Sequence, residues 1–143
     1  MTQPHPGQPQ PPETAKDEDA IAFAQGLFQL ARNGGTTMLR PLLAAGVPVD
    51  IRTSDGDSLL MLASINGHSE TVRLLLEQGA SPDLCNQHRR TALMQAAMAN
   101  HAEVVRQLLP AGANPQVLDA DGKSALELAQ AAAAQDSISL LER

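Results

Sequence analysis

The stretch that decides the fold is residues 56–80, which read GDSLLMLASINGHSETVRLLLEQGA, together with residues 89–113, which read RRTALMQAAMANHAEVVRQLLPAGA. The second stretch begins 33 residues after the first, and apolar residues, one glycine and one histidine fall at the same positions in both. A period of 33 residues is the length of a turn followed by two short helices. Such units bury a core only by stacking on their neighbours, so the sequence predicts a solenoid.

The same spacing extends beyond these two stretches. It relates Gly46, Gly79 and Gly112, and likewise Leu60, Leu93 and Leu126, and Ala63, Ala96 and Ala129. A glycine at the end of each unit suits the left-handed conformation that closes a helix. We therefore expect four repeats, at about 18–52, 53–85, 86–118 and 119–143, the first and last of which are atypical and act as caps.

Local signals place the ends of the predicted helices. Ser58 precedes a helix and can accept a hydrogen bond from one of its unpaired N–H groups. Ser124 and Glu127 have the spacing of a capping box. Ser69 is expected to cap the second helix of its repeat, over residues 70–78.

Two positions conflict with the repeat. Pro41 falls within the second helix of the first repeat, predicted over residues 37–45, so that helix either starts late, with Pro41 in its first turn, or is distorted there. Arg89 stands where the other turns have Gly56 and Gly122. If that turn needs a positive φ, a residue other than glycine costs about 1 kcal/mol.

Composition limits the possible partners. The chain has 143 residues, a net charge of −6 and a single cysteine, Cys85. The negative charge argues against a nucleic-acid partner, because that affinity comes largely from clustered Lys and Arg. The chain has no secretory signal or long apolar run, and one thiol forms no internal disulfide, so we expect a cytoplasmic location and no membrane partner.

The first residues differ from the rest. Residues 1–15 hold five prolines and almost no apolar side chains, which predicts a disordered Pro/Gln-rich tail before a repeat domain over 16–143. We expect the first helix to begin near Lys16, because Asp17, Glu18 and Asp19 suit a helix N-terminus. A role for the tail as a proline-rich ligand stays open.

The repeating residues resemble the ankyrin repeat, whose unit has a D-x-x-G turn, then T-P-L-H-x-A-A-x-x-G-H, then E-V-V-x-L-L-L-x-x-G-A-D. The matching segments include Gly67-His68, Gly79-Ala80, Thr91-Ala92-Leu93, Glu103-Val104-Val105 and Gly112-Ala113. The sequence departs from the family at the T-P-L-H proline, replaced by Leu59, Ala92 and Ala125, and at its histidine, replaced by Met61, Met94 and Glu127. The resemblance covers about residues 18–143. It implies an all-α ankyrin-repeat solenoid of stacked helix-turn-helix units with protruding turns, about four repeats long.

The resemblance also implies a non-enzymatic protein that binds a partner protein on its concave side, through the turn tips and the ends of the inner helices. Carried over position by position, these binding residues are Asp55, Asp57, Ile65, Asn66, His88, Arg90, Met98, Asp121 and Lys123. Ile65 and Met98 are equivalent, so they predict either an apolar strip for a partner or ordinary scattered surface residues. The charged turn residues either recognise a partner or pair with one another.

No residue pattern predicts catalysis, a metal site or a cofactor. His68 and His101 are 33 residues apart, and we interpret them as structural residues at helix junctions. Cys85 is expected to be a free, partly buried thiol. The sequence thus favours a monomeric adaptor or modulator whose partner is another protein. The alternatives are a self-associating structural module and an accessory protein to an enzyme, with a small-molecule or metal site.

Overall fold

The structure, a computed structural model, describes residues 11–142, and side chains from residue 18 onward. This part of the chain forms eight helices: α1 (Pro11–Asn33), α2 (Thr36–Ala44), α3 (Leu59–Ile65), α4 (Ser69–Glu77), α5 (Ala92–Met98), α6 (Ala102–Leu108), α7 (Ala125–Ala131) and α8 (Gln135–Leu141). Within these residues no strand is present beyond one isolated bridge between Arg52 and Ser58. The all-α solenoid predicted from the sequence is confirmed.

The helices stack in two rows. The inner row is α1, α3, α5 and α7, each of which packs on the next, and the outer row is α2, α4, α6 and α8. One continuous apolar core lies between the rows, and its members are almost all aliphatic. Each repeat therefore contacts mainly its neighbours, as a solenoid requires.

Three protruding turns, called fingers here, precede the inner helices: finger 1 (53–57), finger 2 (86–90) and finger 3 (119–123). The first residue of each finger, Thr53, Asn86 or Asp119, accepts side-chain hydrogen bonds from backbone N–H groups two and four residues later. These bonds close each turn locally, as Asx and Ser/Thr turns do.

The helix caps follow the sequence at the inner row and differ from it at the outer row. Ser58 accepts a hydrogen bond from the Met61 N–H, and Ser124 and Glu127 form the predicted capping box. The prediction that Ser69 is a cap is wrong, because Ser69 is the first residue of α4 and the capping position is His68. His68 makes no side-chain bond to that helix, since its ring contacts the preceding repeat instead.

The first repeat starts earlier than predicted. The helix α1 begins at Pro11, not near Lys16, so residues 11–15 of the predicted tail are helical. Prolines suit this end, because a residue in the first helical turn has no N–H partner to lose. The tail prediction for residues 1–10 lies outside the described residues.

Pro41 lies inside α2, whose N-cap is Gly35. The helix thus starts before the proline, which corrects the idea of a late start with Pro41 in its first turn. Pro41 has no N–H to donate to the carbonyl of Thr37. Both residues are exposed, so water can satisfy that carbonyl.

Arg89 adopts a φ of 60°, and the equivalent Gly56 and Gly122 have φ values of 86° and 77°. The positive φ expected for this turn is thus confirmed, and Arg89 occupies a backbone conformation that favours glycine.

Candidate protein-binding surface

The two residues predicted to form an apolar strip on the inner row differ in exposure. Ile65 ends α3 and is 39% exposed. Met98 ends α5 at the equivalent position, but it is half-buried and packs against the core. Ile65 is thus open to solvent, whereas Met98 is mostly covered, and the strip stays a prediction.

Several predicted finger residues contact the neighbouring finger. The Asn86 side-chain amide donates to Asp57 Oδ1 at 2.9 Å, and Gln87 Nε2 donates to Asp55 Oδ1 at 3.4 Å. Arg90 Nε lies 3.5 Å from Asp119 Oδ2. Of the two alternatives for the finger charges, these contacts fit pairing between fingers.

Asp119 was not singled out from the sequence, although it is the most buried charge of the fingers. The hydrogen bond from the backbone N–H of Lys123 lowers the pKa of Asp119, and the bonds from Asp121 and Arg90 act in the same direction, whereas burial opposes them. The equivalent residues Thr53 and Asn86 are uncharged. Alignment of the three repeats could have shown that this position always carries a side chain able to accept a hydrogen bond.

The remaining predicted residues are exposed. Asn66 caps α3 and donates to the Leu62 carbonyl at 2.8 Å. His88, Asp121 and Lys123 lie at finger tips with their side chains toward solvent. Nothing in the described structure brings these three together as one chemical site.

His68 and His101 are placed at the junctions between repeats, as interpreted from the sequence. Nε2 of His68 lies 2.8 Å from the Arg32 carbonyl, and Nε2 of His101 lies 3.1 Å from the Ile65 carbonyl. Each ring also packs where glycine leaves room, at Gly34 and at Gly67.

A groove of about 640 Å³ at the first finger was missed by sequence reasoning. One wall is α1, through Ile21, Ala24, Gln25, Phe28, Gln29 and Arg32, and the other is Arg52, Thr53, Ser54 and Asp55. The sequence signal was present, because residues 20–25 read AIAFAQ where the later repeats have a finger. The apolar residues at that position indicate a helix that replaces the turn.

Two other properties of residues 11–142 bear on function. No group of three or more His, Cys, Asp and Glu among the side chains described, those of residues 18–142, is arranged to hold a metal ion. None of the helices in residues 11–142 combines the length and the apolar composition needed to cross a bilayer.

Comparison with known proteins agrees with this geometry. A model of the family described as ankyrin repeats (3 copies) matches residues 27–119 and 78–142. A Pseudomonas aeruginosa protein named "Putative ankyrin repeat protein PA3287" is 45% identical over 53 residues, which are 37% of this chain and 31% of that protein. The aligned region thus spans about a third of that relative's length. Since the family model covers most of the chain, this protein belongs to the ankyrin repeat family.

Proposed function

We propose that the protein is a non-enzymatic, cytoplasmic adaptor or modulator that binds a partner protein on the face formed by the fingers and the inner helices. Ankyrin repeats generally mediate protein–protein interaction, and this chain belongs to that family. The single observation that carries the choice of face is Ile65, a large aliphatic side chain left 39% exposed at the end of an inner helix.

Neighbouring side chains support the same face. Arg32, Ile65 and Met98 hold equivalent positions in α1, α3 and α5, and Arg32 also lines the groove at finger 1. An exposed apolar residue in a row with a charged one suits an interface with an apolar centre and a polar rim. Because Asp57 and Arg90 already contact the next finger, their role toward a partner is to set association rate and register.

A pull-down from native cells tests the proposal, with the wild-type chain and two variants as bait. Ile65→Glu places a carboxylate where the partner would cover it, and burial of an unpaired charge is costly. Met38→Glu makes the same change on the outer helix α2, where Met38 is 62% exposed. We expect Ile65→Glu to lose the partners that wild type and Met38→Glu both retain.

The double variant Ile65→Glu with Met98→Glu should disrupt partner binding more strongly, but Met98 contacts the core, so the second substitution can also destabilise the fold. Its result therefore counts only if circular dichroism shows an unchanged helical spectrum and melting curve. Full-strength partner binding by Ile65→Glu would show that the face is wrongly assigned.

A further inference from the structure

The groove at finger 1 exists because the first repeat has a helix where the others have a finger. The extra turns of α1 pass beside finger 1 without filling the space between them. Phe28, Ala24 and Ile21 make the α1 wall of this groove partly apolar, and Ile21 is 56% exposed. Its volume of about 640 Å³ leaves room for side chains of another segment.

The finger wall of the groove presents an unpaired backbone donor. Adjacent fingers are joined by main-chain hydrogen bonds: Gln87 N–H donates to the Asp55 carbonyl, and Ala120 N–H donates to the His88 carbonyl, both at 3.0 Å. Ser54 holds the equivalent position in finger 1, and this equivalence puts its N–H on the side away from finger 2, where Ser54 lines the groove. Within the described part of the chain this N–H has no acceptor.

The charges around the groove favour an acidic occupant. Arg32 and Arg52 line it, and neither forms an ion pair with any carboxylate whose side chain the structure describes. Among the residues that the structure describes, Arg32 donates to Gln29 and Arg52 to the Cys85 carbonyl at 3.3 Å, which leaves most of their N–H groups without a partner there. Asp55 also lines the groove, but its Oδ1 accepts from Gln87 of finger 2.

We propose that this groove binds an extended segment of a partner protein in which a carboxylate side chain lies close to an aliphatic one. A backbone carbonyl of that segment accepts the Ser54 N–H, which continues the row of finger-to-finger bonds by one more strand. The aliphatic side chain packs on Phe28 and Ile21, and the carboxylate meets Arg32 and Arg52. This proposal rests on the proposed function and names the chemistry of the partner.

Other occupants fit less well. Residues 1–10 of this chain contain no Asp or Glu to meet the arginines, and three of them are prolines, which have no backbone donor. Within one chain the acceptors of the finger-to-finger bonds are the carbonyls of Asp55 and His88, and the equivalent residue of finger 3 is Asp121. A second copy would therefore have to place its Asp121 carbonyl at the Ser54 N–H. The helix α1 occupies the side of finger 1 where such a copy would stack.

The test uses the full chain as bait for a phage-displayed library of random octapeptides, and the enriched peptide is then titrated by fluorescence polarisation. Ser54→Pro removes the N–H. The Gly56 N–H donates to the Thr53 carbonyl, so Ser54 is the second residue of a β-turn, a position that proline favours. Its matched control, Ser54→Ala, keeps the N–H. Arg52→Glu is matched by Arg73→Glu, a charge reversal on the exposed side of α4.

We expect enriched peptides with Asp or Glu within three positions of Leu, Ile, Val or Met. Ser54→Pro and Arg52→Glu should each weaken binding by about tenfold or more, the scale of one hydrogen bond. Ser54→Ala and Arg73→Glu should stay within about twofold of wild type on the same scale. No enrichment, enrichment of basic peptides, or unchanged affinity for Ser54→Pro would overturn the proposal.

Amide hydrogen exchange distinguishes the occupants. In the free chain the Ser54 amide should exchange much faster than the equivalent amides of Gln87 and Ala120, and it should slow when the peptide binds. Protection of Ser54 in the free monomer would mean that the chain's own residues fill the groove, and protection that rises with protein concentration would assign it to a second copy. Either result overturns the proposal. If the native partner is lost with Ile65→Glu but kept with Ser54→Pro and Arg52→Glu, this inference fails while the proposed function stands.

Discussion

The first two junctions between repeats are built differently from the third. At the first two, a histidine of the later repeat, His68 or His101, lies against a glycine of the earlier one and hydrogen-bonds to a carbonyl there. At the third, Ala134 replaces the histidine with nearly the same backbone, φ −83° and ψ 79° against −88° and 78° for His101. The backbone is therefore kept while the side-chain connection changes.

The glycine changes together with the histidine. A Cβ on Gly67 would lie 2.6 Å from Nδ1 of His101. At the third junction, Asn100 takes the glycine position with φ 59°, and its Oδ1 accepts from the Ser137 N–H at 3.2 Å. Glycine is thus present at the two junctions where an imidazole packs and absent at the third, where none does, so we expect the glycine and the histidine to be energetically coupled.

Gly67→Ala should displace the His101 ring from the second junction and have the largest effect on stability. We expect a loss of about 2–3 kcal/mol in the free energy of unfolding, from the positive φ and from displacement of the His101 ring. The matched control is Gly79→Ala, since Gly79 has φ 91° but no atom within 4 Å of an added Cβ. The control should cost only about 1 kcal/mol in urea unfolding. Equal losses in the two variants would contradict the glycine–histidine coupling.

Ala134→His sharpens the comparison by moving the histidine to the third junction. The single substitution should lower the free energy of unfolding by about 2 kcal/mol, because the imidazole ring would clash with the Cβ of Asn100. In combination with Asn100→Gly, the free energy of unfolding should recover and exceed that of wild type by up to about 1 kcal/mol, the value of one hydrogen bond. A double-mutant cycle from thermal unfolding measures the coupling. Additive effects of the two substitutions would show that the residues are independent.

Arg89→Gly relieves strain in finger 2 and leaves the junctions untouched. We expect a gain of about 1 kcal/mol, since Arg89 has φ 60° and an exposed side chain. Chemical denaturation of the variant beside wild type measures the change. Unchanged or lower stability would mean that the Arg89 side chain makes a compensating contact.

Asp119→Asn tests what the fingers contribute at the third junction, and it should have the smallest effect. Asn86 shows that an amide can close a finger. We therefore expect a loss of roughly 0.5–1 kcal/mol at neutral pH, from the contact with Arg90.

The pH dependence of that loss has a definite sign. The folded pKa of Asp119 lies below its ordinary value of 3.8, so the ionised carboxylate stabilises the fold above pH 3.8. This contribution disappears as the pH falls from there through the folded pKa. Wild type and Asp119→Asn should therefore converge in melting temperature on acidification, and a constant difference would contradict the assignment.

Features set by neighbouring residues could be predicted from the sequence. Ser58 as a cap, the Ser124–Glu127 box and the positive φ of Arg89 all depend on residues a few positions away, and the repeat aligns them. The assignment of Ser69 failed because the junction geometry places His68 at the cap.

Features set between repeats could not be predicted in the same way. The burial of Met98 and the Arg90–Asp119 contact depend on how one unit rests on the next. Residues 20–25 indicate a helix in place of a finger, but the groove itself depends on how closely that helix packs beside finger 1. The position of each candidate residue within its repeat follows from the sequence, whereas its exposure and its contacts with the next repeat do not.

The aromatic content of the chain has a spectroscopic consequence. The chain has no Trp or Tyr, and its two Phe residues both lie in α1, where Phe28 lines the groove and Phe23 is exposed beside it. Tryptophan emission from any complex would therefore come from the partner alone. Incorporation of 4-fluorophenylalanine would give two ¹⁹F resonances, with Phe28 as a direct reporter of the groove and Phe23 as a reference on the same helix.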